Sequence, residues 1–235
     1  MKKSIILIDK KLKKHFSTPF KANNSPQPLD MLIATILSQN TNDQNSFKAY
    51  QNLKKYFNNW EEVKNSDTNI IEDKIRIAGL GAQKACTIKN LLDELYKDGK
   101  NYSLSNLSKL NNEKSIQYLT QFKGVGVKTA SCVLLFSLNK NICPVDTHVH
   151  RTLNRIGLVK TNSPDKTFFE INKNFPPKIA HSFHTNLIRL GREICKPKNY
   201  KCSICPLLEV CEFNNKNFEI NKKSKQQSFM LLDNI

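Results

Sequence analysis

The stretch from Phe122 to Arg151 limits the fold more than any other part of the chain. A valine lies between two glycines, Gly124-Val125-Gly126, and Lys128 follows two residues later. An apolar helical run comes next, then Pro144, then Asp146 at the head of another helical pattern. Glycines at such a turn let the backbone bend tightly and approach a ligand closely. A helix starting near Val127 aims its free N–H groups and the positive end of its dipole back at the turn, which makes an anion cradle. Lys128 falls in the first turn of that helix, where positive charge is disfavoured, so its amine reads either as unusually nucleophilic or as a solvated lysine that only contacts phosphate. Asp146 stands where a helix N-cap belongs, and capping leaves its second carboxylate oxygen available to a pocket.

Charge narrows the choice of anion. Thirty-seven Lys and Arg face twenty acids, a net charge of +17. DNA, RNA or an anionic membrane would each suit that excess. The membrane is the weakest of these, because the longest apolar run, near Val133 to Leu138, is far too short to span one. Met1 to Phe16 mixes Ile and Leu with lysines at helical spacing and has no small-residue cleavage site, so it reads as an amphipathic helix and the chain as intracellular.

No alternating pattern is long enough to build a sheet, and the fold class is all-α. Helices are expected over Ser4 to His15, Pro28 to Leu37, Asp43 (as the cap) to Phe57, Asn69 to Ile77, Gln83 to Tyr96, Leu104 to Leu110 and Glu113 to Phe122. After Asp146 they follow over Thr147 to Ile156, Asp165 to Phe175 and Lys178 to Ile194, with Pro164 and Pro176-Pro177 as start signals. Between the second and third helices lies a polar run, Ser38-Gln39-Asn40-Thr41-Asn42. Leu80, set between Gly79 and Gly81, reads as an exposed apolar tip or as a packing residue under its turn. His181 and His184 lack a third ligand nearby and read as surface or core histidines.

Seven cysteines divide unevenly. Cys86, Cys132 and Cys143 stand alone and are expected as buried thiols. Cys195, Cys202, Cys205 and Cys211 crowd together with six, two and five residues between them. Such crowding in a reducing compartment argues for a ligand set over disulfides. Spacing alone leaves tetrahedral zinc and an iron–sulfur cube equally open.

Gly124-Val125-Gly126, Lys128-Thr129-Ala130 and Val145-Asp146-Thr147-His148 resemble the helix-hairpin-helix and catalytic aspartate of the endonuclease III family of DNA glycosylases. The resemblance covers roughly Pro28 to Phe213. It implies two helical domains with a DNA-binding cleft between them: a six-helix barrel over 29–138, and an iron–sulfur domain of 1–28 with 139–213, followed by a tail, 214–235. It implies that Lys128 is a Schiff-base nucleophile, Asp146 its carboxylate partner, and the four cysteines the ligands of a structural [4Fe–4S] cluster. Gly124, Val125 and Gly126 would grip DNA phosphates, Leu80 would wedge a base step, and Gln39 or Asn40 would fill the space left by a flipped base. His148 would line the pocket.

The implied activity is a bifunctional DNA glycosylase and abasic-site lyase, acting as a monomer on double-stranded DNA with a damaged base, such as an oxidised pyrimidine. One departure is Phe122-Lys123 where the family usually has Leu-Pro, which removes some preorganisation of the turn. An adenine-mismatch glycosylase would carry a glutamate where this chain has Thr35. A hairpin module that binds DNA without chemistry would leave Lys128, Asp146 and the cysteine set unexplained. The end, Gln226 to Leu232, carries apolar residues suited to a last packed helix or to docking on a partner such as a sliding clamp.

Overall fold

The computed structural model describes residues 1–19, 25–99 and 101–218, and among these every regular element is a helix. They form two compact units, one of 1–19 with 141–218 and one of 25–140. Helix α1 (Lys2–Phe16) opens the first unit.

The 25–140 unit is built on α2 (Pro28–Leu37), which starts on a proline and buries Leu29 and every residue from Met31 to Leu37. A helix apolar all round has to be covered on all sides. Here α3 (Asp43–Tyr56), α6 (Gly81–Lys97) and α8 (Val127–Phe136) cover it. The cap of α3 is Asn42, whose side chain accepts the Asn45 N–H, and not Asp43 as expected. Either residue can cap, and the chain enters the helix one position earlier.

Helix α4 (Trp60–Asn65), too short to leave a periodic signal, is capped by Asn59. Helix α5 (Thr68–Ile75) passes into a 3₁₀ turn at Arg76–Ala78 and packs on the apolar stripe of α6. The expected helix at 104–110 is a single 3₁₀ turn, Ser105–Ser108, and α7 (Asn112–Leu119) then packs on α8. Cys132 is buried as expected, whereas Cys86 is exposed, because it lies on the outer side of α6.

In the other unit follow α9 (Thr147–Ile156), α10 (Pro164–Asn172) and α11 (Ala180–Arg189), the last widening into a π turn at Leu190–Ile194. Helix α1 lays Ile5, Ile8, Leu12 and Phe16 against α11. The buried Asp9 carboxylate there pairs with Lys13 at 2.7 Å and accepts the Ser182 hydroxyl at 2.8 Å. No helix among the described residues is long and apolar enough to cross a membrane.

Candidate functional site

The 25–140 unit holds the glycine turn. Val125 N–H donates to Phe122 O, and Gly124 sits at φ +87°, a conformation side chains rarely adopt. A Cβ at Gly124 would also lie 2.7 Å from Thr87 Cγ2. Val125 turns its side chain inward, at 4% exposure, so the turn presents backbone at this position. Gly126 is the N-cap of α8 and supplies no side-chain acceptor, which leaves the first-turn N–H groups without a side-chain cap. Lys128, half-buried, stands on that turn.

Two further loops belong to the same unit. Gln39 Nε2 donates to Gly124 O at 3.1 Å and to Thr129 Oγ1 at 3.4 Å, tying the polar loop to the hairpin. Asn40 beside it is exposed at φ 53°, a left-handed conformation that asparagine tolerates better than most residues. The two amides thus differ in kind: one is engaged in the hairpin, the other is presented to solvent. Leu80 lies at φ 52° and is 53% exposed. A leucine that is both backbone-strained and bare to water is costly on two counts, and such costs gather at working surfaces.

In the other unit, Asp146 Oδ1 accepts the Val149 N–H at 2.8 Å and caps α9. The approach to it is rigid. Residues 142–145 are buried, Asn172 brackets Cys143 by accepting its N–H and donating to its carbonyl, and His184 Nδ1 meets Pro144 O at 2.9 Å. His148 lies 3.2 Å from Arg151 Nη2. Burial pushes its pKa below the ordinary histidine range, with the Asp146 carboxylate pulling the other way. A Cβ on Gly191 would come 2.8 Å from His148 Cβ, so that glycine allows α9 its close approach to the π turn.

Four thiols follow the π turn, all of them free. Burial raises the Cys205 pKa to about 11, and the neighbouring Cys195, Cys211 and Cys202 push the same way. Cys195 is raised by burial too, against the opposing pull of Arg155 and Arg151. Arg155 donates to Cys195 Sγ at 3.5 Å, to Lys196 O at 2.7 Å and to Pro197 O at 3.1 Å. Its guanidinium lies 4.7 Å from each of the Tyr200 and Phe213 ring centroids. Arg151 adds a bond to Cys195 O at 3.1 Å. Thiols so placed could serve as metal ligands, since a positive metal would deprotonate them, and Arg155 is the guanidinium that meets one of them, Cys195. Among the described residues no three His, Cys, Asp or Glu side chains gather closely enough for a single ion.

A family profile, that of the HhH-GPD superfamily of base excision DNA repair proteins, matches residues 33–177. The chain belongs to that superfamily. A putative DNA glycosylase of Arabidopsis thaliana is 38% identical over 190 residues, which cover 77% of this chain and 65% of that protein. Endonuclease III of Thermotoga maritima is 36% identical over 189 residues, 79% of this chain and 83% of the relative. In three dimensions the chain is similar to endonuclease III trapped in a covalent intermediate with DNA, at a TM-score of 0.76 and 26% identity, over 90% of this chain and 96% of that one.

Sequence reasoning passed over three basic residues. Arg151 and Arg155 lie at i, i+4 on α9 and look like any solvated pair. Lys84 gave a clearer signal, since it shares the α6 stripe of Ile88, Leu91 and Leu95 at helical spacing.

Proposed function

We propose that this protein is a base-excision DNA glycosylase with abasic-site lyase activity, acting on double-stranded DNA that carries a damaged base, an oxidised pyrimidine by preference. The observation that carries the reading is a lysine on the uncapped first turn of the hairpin helix, in a chain similar over most of its length to endonuclease III. The hairpin N–H groups and surrounding lysines take the phosphates of one strand. Leu80 enters the stack as a wedge, and Asn40 takes the place of the displaced base while Gln39 holds the loop to the hairpin. Damage lowers the few kcal/mol that extrusion costs.

Lys128, as the free amine, attacks C1′. The C1′–N bond to the base breaks, its electron pair leaves with the base, and a proton from the amine is passed on. Opening of the sugar ring gives an imine between Nζ and C1′. Loss of a proton from C2′ then expels the 3′ phosphate, and the strand is cut. Asp146 stabilises the positive charge that builds at the sugar and assists these proton transfers. His148 lines the pocket beside it.

Cys195, Cys202, Cys205 and Cys211 would hold a [4Fe–4S] cluster as thiolates. Its contribution is to pin the loop carrying Lys196, Lys198 and Lys201 so that these meet phosphate. The protein acts as a monomer. A sliding-clamp contact through 226–232 lies outside the described residues.

The test is borohydride trapping on a duplex with one abasic site. Wild-type protein forms a covalent adduct and Lys128→Ala forms none. A wild-type protein that binds the duplex but gives no adduct is a non-catalytic hairpin module, and the proposal fails.

A further inference from the structure

Lys84 is buried, at 3% exposure, on the apolar stripe of α6. Its ammonium donates to Leu37 O at 2.8 Å and to Ala78 O at 2.9 Å. An ammonium away from water is costly unless its donors are used, so what these two carbonyls belong to matters. Leu37 is the last residue of α2, and its carbonyl is one of those a helix end leaves without an intrahelical partner. The polar loop with Gln39 and Asn40 begins at the next residue. Ala78 closes the 3₁₀ turn immediately before Gly79-Leu80-Gly81. The backbone N–H of Lys84 also donates to Leu80 O at 3.0 Å. One residue therefore holds the Leu80 turn on both sides and, forty-seven positions away in the chain, the root of the Asn40 loop.

Both tips are in the left-handed region, Asn40 at φ 53° and Leu80 at φ 52°. Strained conformations persist only where their surroundings over-determine them, and charge-assisted bonds to main-chain carbonyls are the stronger kind. We infer that Lys84 is a positioning residue that fixes the Asn40 loop and the Leu80 turn to one base, so that the two enter the DNA stack as a single device. The inference rests on reading those two tips as the elements that open the duplex. Lys84 itself touches neither the substrate nor the reacting atoms.

The test compares two substrates carrying the same 5-hydroxyuracil. In one duplex the lesion is paired and stacked. In the other it faces a gap in the partner strand, so there is no pair to open. Lys84→Met keeps the apolar bulk and removes both hydrogen bonds. Single-turnover excision from the paired duplex is expected to slow about 10- to 100-fold, from the loss of charged hydrogen bonds, while the gapped substrate is cut within about threefold of wild type. Lys84→Gln, which keeps a donor amide, recovers part of the paired-duplex rate. Leu80→Ala and Asn40→Ala show the same preference for the gapped substrate.

Equal losses on both substrates would make Lys84 a support of the fold alone, and no loss on either would remove its role altogether. If Lys84→Gln is folded but no better than Lys84→Met, the bonds to the carbonyls are not the cause. Selectivity in Lys84→Met without selectivity in the two tip variants overturns the reading of the tips instead, and the inference with it.

Discussion

Asp146 is the residue at which structure and chemistry are easiest to confuse, and two substitutions separate them. Its Oδ1 takes the Val149 N–H at 2.8 Å. Removing that acceptor in Asp146→Ala should cost about 1 kcal/mol of cap energy, which for a chain of this size lowers Tm by roughly 2–4 °C. Asp146→Asn keeps an oxygen in the same place. It gives up only the attraction between a negative charge and the helix N-terminus, about 0.3–1 kcal/mol, so its Tm should fall by roughly 1–4 °C, no more than that of Asp146→Ala. Catalysis should not follow that order. Both variants lack the carboxylate, and both should lose about 10²- to 10⁴-fold in single-turnover excision, the usual worth of a positioned acid–base group. Melting curves and excision rates on the 5-hydroxyuracil duplex give the two readings independently. If Asp146→Asn cuts as fast as wild type while Asp146→Ala is slow and unstable, Asp146 is a cap and nothing more.

The hairpin gives a second prediction. Gly124→Ala forces a side chain into φ +87° and against Thr87, at a cost of about 1–2 kcal/mol from the backbone alone, and should lower both Tm and duplex affinity in a salt titration. Protein purified without oxygen should carry about four irons per chain and a broad visible band, and Cys205→Ser should lose both; one zinc per chain would overturn the cluster. Lys84 should appear in the pH dependence of stability. Its folded pKa, lowered to about 8 by burial, lies below the unfolded value, so between these the unfolded chain binds more protons. Wild-type stability should therefore rise with pH through that window by about 3 kcal/mol relative to Lys84→Met, measured by denaturant titration at each pH.

The helices most visible in the sequence are those that combine a start signal with a complete apolar face. Pro28 and the run to Leu37 define α2 to the residue, and Thr147 to Ile156 does the same for α9. Elements fixed by one or two side chains are harder to see. The α4 turn depends on Asn59, and α3 is capped by Asn42 although Asp43 offers a similar acceptor one position on. Cys86 lies about 200° round α6 from Lys84, opposite the apolar stripe, so the helical period gives its exposure and the expectation of burial rested on residue type alone. Among the candidate site residues, the Gly124 turn and the Asp146 cap follow from local rules of backbone and capping. The division of labour between Gln39 and Asn40 does not, because it is set by a contact with Gly124 O eighty-five positions away. The same holds for Lys84, whose partners come from two other segments.

The pairing of α1 with α11 has a bearing on biosynthesis. Asp9 meets Ser182 and Phe16 O meets Arg189 across more than 170 positions, whereas α2 to α8 are continuous in the chain. On a ribosome the middle unit can close while its downstream partner is still being made. Until α11 emerges, Ile5, Ile8, Leu12 and Phe16 have nothing to cover them. The growing chain therefore carries an uncovered greasy stripe on α1 throughout the synthesis of α2 to α10, and the stripe is sheltered only once α11 has been made.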